Sequence, residues 1–194
     1  IPKPNEKAKP LPMTNIVDIV NDIKMISEGS TLVVLTGGEP MRQNILPLIS
    51  LLTLEQYRVQ IETAGTLWVG GMENYFTPRG QSNPFNHSIV CSPKTATINK
   101  MIEQYADAFK YIVTADQWVN EDGLPVGSTQ FEGEPSILFR PSEVEKSRIY
   151  VQPCDVDYTS ASMLDSPNMK ACVTIAQRYG YQLSIQTHKL LGLE

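Results

Sequence analysis

Gly37, Gly38 and Glu39 stand between Thr36 and Pro40, directly after the apolar run Leu32-Val33-Val34-Leu35. A glycine pair at the end of a strand bares amide and carbonyl groups to a small ligand, here with one carboxylate beside them. Pro40 suits the first turn of whatever follows. Glu62 closes another alternating run, and a carboxylate there can accept paired N–H donors from a ring and its exocyclic amine, as a guanine-like or pterin ring offers. The plainer alternative is a surface carboxylate beside a turn. Lys94, in Cys91-Ser92-Pro93-Lys94, reads as an electrostatic anchor, as a Schiff-base amine in a dry pocket, or as an ordinary solvated lysine. His188, in Gln186-Thr187-His188-Lys189, can donate to a substrate oxygen or move a proton near neutral pH; its structural reading is a histidine at a strand terminus. Gln152-Pro153-Cys154-Asp155 is a fifth polar cluster.

Periodicity shows the elements that must position these groups. Ile16, Val17, Ile19, Val20, Ile23 and Ile26 recur at helical spacing behind Thr14, a capping residue type. Thr31–Leu35 follows as a strand, Ile45–Leu52 as a second helix, and Tyr57–Thr63 alternates as the next strand. His87–Cys91, Ala108–Val113, Arg148–Pro153 and Tyr181–Gln186 supply further strands. Helices are expected over Ile98–Tyr105 and Ser162–Arg178, the latter stopped by Gly180. Ala64–Asn86 is a long irregular stretch, of the kind that is functional or disordered in a compact domain. Residues 115–135, acidic and glycine-rich from Val119 onward, are expected to form a surface insertion.

Strands alternating with helices imply parallel βαβ units in an α/β fold. Right-handed crossovers wind such units into a complete or partial barrel, and ligands then bind at the carboxyl ends of the strands. Five of the six expected strands end in the polar clusters named above. That convergence predicts one site.

At 194 residues the chain is expected to be a single domain. Hydrophobic residues make up 41% and charged residues 19%, a globular rather than disordered composition. The net charge of −5 and a pI near 5.1 lack the basic footprint of a nucleic-acid binder, and the apolar runs are strand-sized, too short to cross a membrane. Three widely spaced cysteines, Cys91, Cys154 and Cys172, suggest neither a disulfide framework nor a metal knuckle, and point to a reducing compartment, the cytoplasm by default.

Thr36-Gly37-Gly38-Glu39-Pro40 resembles the Gly-Gly-Glu-Pro motif of radical S-adenosylmethionine enzymes, which meets the amino group of the cofactor's methionine. Joined to Ile61-Glu62-Thr63-Ala64-Gly65-Thr66, Cys91-Ser92-Pro93-Lys94, Val151-Gln152-Pro153 and Gln186-Thr187-His188-Lys189-Leu190-Leu191-Gly192, it is similar to the 7-carboxy-7-deazaguanine synthase family of queuosine and deazapurine biosynthesis. The resemblance implies a partial (β/α) barrel of the radical S-adenosylmethionine type. It also implies ring contraction of 6-carboxy-5,6,7,8-tetrahydropterin to 7-carboxy-7-deazaguanine with loss of ammonia. The cofactors implied are S-adenosylmethionine, a [4Fe–4S] cluster and Mg2+, with an electron donor such as a flavodoxin or ferredoxin. A reduced cluster would cleave S-adenosylmethionine to a 5′-deoxyadenosyl radical that takes a hydrogen from the pterin. By the same resemblance Gly37, Gly38 and Glu39 hold the methionine end, and Ser92, Pro93 and Lys94 line the nucleoside side. Gln152, Pro153, Cys154 and Asp155 flank the cofactor, while Thr36, Glu62, His188 and the terminal Glu194 face the pterin. A homodimer is expected on grounds of symmetry alone.

The family's cluster hangs on three closely spaced cysteines, C-x3-C-x2-C, after its first strand, and no two cysteines here are close enough to imitate them. Two explanations stand. Either the first strand and cluster loop precede Ile1, where part of the substrate pocket and the magnesium ligand would also lie, or the chain is a homologue without a cluster. On the first, these residues alone are expected to bind no iron and show no turnover. Two rival functions accompany them: a cluster-less pterin- or nucleoside-binding regulator, and an aldolase-like barrel that uses Lys94 as a Schiff-base amine.

Overall fold

Asn15 starts the first helix, α1 (Ile16–Ile26), by accepting a hydrogen bond from the Val17 amide on its side-chain oxygen. The computed structural model describes residues 15–119, 121–129, 137–142, 144–154, 164–187 and 191, so the expected cap Thr14 lies outside the described residues. Helices α2 (Leu46–Leu54) and α3 (Lys100–Tyr105) follow the sequence expectation within a few residues. The last helix, α4 (Pro167–Tyr179), starts later than expected. Pro167 suits the first helical position, and the Ser166 side chain caps the helix by accepting from the Met169 amide.

Six strands are described, β1 (Leu32–Leu35), β2 (Arg58–Thr63), β3 (Ser88–Cys91), β4 (Ala108–Val113), β5 (Ile149–Pro153) and β6 (Gln182–Leu183). Helices α2, α3 and α4 follow β1, β3 and β5, while among the described residues β2–β3 and β4–β5 are joined without an α-helix. All pair in parallel, and their order in the sheet is their order in the chain. With right-handed crossovers, such an order stacks the described helices that connect strands, α2, α3 and α4, on one face. The opposite face stays open, as in an unclosed barrel.

Period-two alternation sorts each strand between the two faces. Val59, Ile61, Ile89, Phe109, Tyr111, Val113 and Val151 are buried in one core with Ile49 and Leu52 of α2, Ile102 of α3 and Ile175 of α4. Gln60, Glu62, Val90, Lys110, Ile112 and Gln152 occupy the alternate positions. The open, concave face is therefore partly polar, and it is the face that carries the site.

Three details differ from the sequence reading. β6 is two residues long rather than six, since it pairs only with Tyr150 and Val151; Ser184 still donates to the Val151 carbonyl, and the chain then leaves the sheet. The long stretch after β2 packs rather than dangles: Met72 and Phe76 are buried, and the Arg79 guanidinium donates to the carbonyls of Glu103 and Ala106 at the end of α3. The expected surface insertion is anchored where it is described. Leu124 is buried, Tyr181 donates to the Asp122 carbonyl, and Arg140 bonds both the Asp122 carboxylate and the Pro125 carbonyl. Residues 130–136 lie outside the described residues.

His87, just before β3, is 3% exposed and joins α2 to β2. Its Nδ1 accepts from the Val59 amide at 3.1 Å, so Nε2 carries the proton and donates to Thr53 Oγ1 at 2.8 Å. Thr53 in turn donates to the Ile49 carbonyl. Only the neutral imidazole fits this chain of bonds, and burial holds its pKa below the ordinary histidine value.

Candidate functional site

The carboxyl ends of the strands converge as parallel pairing requires. Thr36, Gly37 and Gly38 after β1, Glu62 and Thr63 of β2, Ser92 and Lys94 after β3, Lys110 of β4 and Gln152 of β5 line one cavity of about 280 Å3. Gln186, beyond β6, closes its far wall. An open groove beside it, lined by Gly38, Glu39, Arg42, Thr66, Leu67 and Lys94, adds room for a second, larger ligand.

The glycine pair divides its work. Gly37 sits at φ +124°, a conformation that a side chain rarely adopts, and so shapes the turn. A Cβ on Gly38 would meet no protein atom within 4 Å. Space beside Gly38 is therefore open on the cavity side.

The Glu39 carboxylate is hydrogen-bonded within the protein. Its two oxygens accept from the Met41 amide at 3.2 Å, from Thr63 Oγ1 at 2.9 and 3.0 Å, and from the Ala64 amide at 2.9 Å. The carboxylate thus ties the loop after β1 to the end of β2, and Thr63 Oγ1 passes the tie on by accepting from the Gly65 amide. Glu39 borders the groove, yet its side chain acts on the loop's shape.

On the floor of the cavity Lys110 Nζ donates to both oxygens of Glu62, at 3.0 and 2.9 Å. The pair bridges β2 and β4 diagonally across β3, since Glu62 is level with Val90 and Ala108 and Lys110 lies two residues further on, and both side chains are partly buried. Lys94 lies in both the cavity and the groove. Burial pushes its pKa down, and the nearby Lys110 ammonium pushes it further. That shift accords with an anchor beside a second cation and equally with an amine nucleophile.

Thr36, Gly37, Gly38, Glu62, Ser92, Lys94 and Gln152 are therefore brought together, as the strand-end pattern predicts. Pro93 and Pro153 are buried and line neither space. Cys154 donates its amide to the Val113 carbonyl and accepts from Asn168 on its own carbonyl, which fixes the end of β5 against α4. Asp155, His188 and Glu194 lie outside the described residues. Lys110 is the charged cavity-lining position that sequence reading missed. Its signal was present: a charged residue in the middle of Ala108–Val113, in phase with the open-face positions Ala108 and Ile112.

The cysteines do not fit an iron–sulfur cluster. Cys91 and Cys172 are buried in the core, where desolvation raises both thiols, Cys172 to about 12, against the thiolate form that a cluster needs. Among the described residues no three His, Cys, Asp or Glu side chains gather in a metal-holding group. Nor is any described helix long and apolar enough to cross a membrane.

Comparison with known proteins agrees with this geometry. The chain is 42% identical over 166 residues to the 7-carboxy-7-deazaguanine synthase of Rhodospirillum rubrum, covering 84% of this chain and 65% of the relative. It is 32% identical over 194 residues to the enzyme of the same name from Rickettsia prowazekii, covering 94% of this chain and 70% of the relative. This chain belongs to the 7-carboxy-7-deazaguanine synthase family. The family member of Escherichia coli K12 is 27% identical over 83% of this chain and 60% of its own. The fold is that of the crystal structure of QueE from Escherichia coli, with a TM-score of 0.53 at 22% identity over 89% of this chain and 64% of that one. No family model matches the chain. As a 7-carboxy-7-deazaguanine synthase family member, the chain spans about two thirds of the length of these relatives.

Proposed function

We propose that this chain forms the cofactor- and substrate-binding part of a 7-carboxy-7-deazaguanine synthase, which contracts the ring of 6-carboxy-5,6,7,8-tetrahydropterin with release of ammonia. One observation carries the reading. The family-motif residues Thr36, Gly38, Glu62, Ser92, Lys94 and Gln152, scattered over 117 positions of sequence, line a single cavity on the open face of the sheet. S-adenosylmethionine supplies the radical chemistry when bound. Gly38 leaves the space its methionine end requires, while Ser92, Lys94 and Gln152 offer polar contacts along its length. Glu62 accepts the paired N–H donors of the pterin ring; His188 and Glu194, outside the described residues, are assigned to the pterin by the family resemblance alone. We place the thiolates of the [4Fe–4S] cluster, and the Mg2+ ligand, outside the 194 residues of this chain. A flavodoxin- or ferredoxin-like electron donor, a cytoplasmic location and a homodimer complete the proposal.

The whole protein, reduced under anaerobic conditions with S-adenosylmethionine and 6-carboxytetrahydropterin, is expected to release 7-carboxy-7-deazaguanine and ammonia in equal amounts. Gly38→Val is expected to weaken S-adenosylmethionine binding by calorimetry, and Glu62→Gln to weaken the pterin roughly tenfold to hundredfold while sparing the cofactor. Loss of both ligands in a folded Glu62→Gln variant, or no product from the wild type, would overturn the reading.

A further inference from the structure

A half-buried ion pair on the floor of a binding cavity is a poor stabilising device, because desolvating both charges consumes most of their attraction. The pair Glu62–Lys110 therefore calls for a reason beyond stability. Lys110 Nζ lies against both oxygens of Glu62 at 3.0 and 2.9 Å, and the whole pair opens onto the cavity. Carboxylate and ammonium side by side present two acceptors followed by a donor. The complement is a planar edge with two donors followed by an acceptor. A 2-amino-4-oxopyrimidine ring has that edge: its exocyclic amine and ring N3–H donate, and its C4 carbonyl accepts.

We propose that Lys110 is a specificity-determining residue which donates to the C4 carbonyl of the pterin while Glu62 accepts from its two N–H groups. The inference rests on the proposed pterin site and adds to it the residue that reads the oxygen at position 4. Lys110 holds the fork of Glu62 without ligand, so binding exchanges one set of charge-assisted bonds for another. The ammonium needs only a rotation about its own side chain to move from the fork to the adjacent carbonyl. Lys94 completes the charge pattern. With Glu62 and Lys110 matched to the pterin, Lys94 is the remaining charged side chain among the described residues lining the cavity, left for S-adenosylmethionine.

A 4-amino ring reverses the pattern, since it brings a donor where Lys110 also donates and readily takes up a proton. Lys110 thus selects against it by like-charge repulsion as well as by a lost bond. The test is equilibrium binding of 6-carboxypterin and its 2,4-diamino analogue to the whole protein. Wild type is expected to favour 6-carboxypterin at least tenfold. Lys110→Met, which keeps the length of the stem, is expected to lose about tenfold in affinity for 6-carboxypterin and to bind the diamino analogue as well as or better than wild type. An unchanged ratio in a folded Lys110→Met variant would overturn the role of Lys110 and leave the pterin site standing. Equal binding of both ligands by wild type would overturn it even if that variant failed to fold. No binding of 6-carboxypterin by wild type would overturn the pterin site itself, and the inference with it.

Discussion

Replacing Glu39 by alanine should destabilise the protein in the absence of any ligand. Three donors depend on its carboxylate: the Met41 amide, the Thr63 hydroxyl and the Ala64 amide. Hydrogen bonds to a charged group are worth about 1.5–3 kcal/mol each, but they are not additive, and two of these amides border the open groove where water can replace the lost oxygen. Thr63 is 3% exposed and has no such replacement. The expected loss is about 3 kcal/mol, roughly one full charge-assisted bond with partial losses at the other two. For a chain of this length that corresponds to a fall of about 6–12 °C in Tm. Glu39→Gln keeps the shape and one acceptor, so it should fall between wild type and Glu39→Ala. Urea denaturation of ligand-free protein measures all three. Thr63→Val combined with Glu39→Ala should show a coupling of about 1 kcal/mol or more. A loss under about 0.5 kcal/mol for Glu39→Ala, or strict additivity with Thr63→Val, would refute the brace and return Glu39 to direct ligand contact.

Stability should fall with pH on the acid side of neutrality because of His87. Its folded pKa is lowered by burial while the unfolded chain takes up the proton near pH 6.5, so stability is full above that value and is lost as pH drops below it. His87→Gln, which can still accept from Val59 and donate to Thr53, should flatten this slope between about pH 6.5 and 5 in denaturation measured at stepped pH. Gly123→Ala should cost about 2–4 kcal/mol in the same assay, since φ is +73° and the new Cβ would lie 2.4 Å from Tyr179 Cδ2. A loss below about 1 kcal/mol would mean that this turn does not rest on α4 as described.

The sheet was legible in the sequence because its apolar runs are short, bounded by glycine and proline, and separated by helical periods. Six parallel strands follow at once from that alternation, and so does the convergence of Thr36, Glu62, Lys94 and Gln152, since parallel strands put all their carboxyl ends at one edge. Side-chain partners were not legible. Glu39 reads as an exposed carboxylate in a ligand loop, and only the approach of Thr63, 24 positions away, shows it bound within the protein. Lys110 reads as one charge in an apolar strand until the sheet brings it within reach of Glu62, two residues past Ala108, the β4 residue level with Val90 and Glu62. The short β6 was misjudged because alternation continues through Ser184–Gln186 after the hydrogen-bonded partners run out. The packing of Leu124 and Gly123 escaped notice because composition says nothing about which surface a loop lies on.

A sheet ordered like its chain also says something about how the molecule comes into being. Each strand pairs with the one made just before it: Leu32 meets Arg58, Val90 meets Ala108, and the longest reach is from Phe109 to Ile149. No strand waits to be inserted between two others already formed. During synthesis each new βα unit can dock on an edge that already exists, so the nascent chain gains order stepwise from its amino end at the pace of translation. The polar cavity is then the last thing to be finished, because its far wall, Gln186, follows the final strand. A ribosome stalled before β5 would hold most of the core and only part of the site.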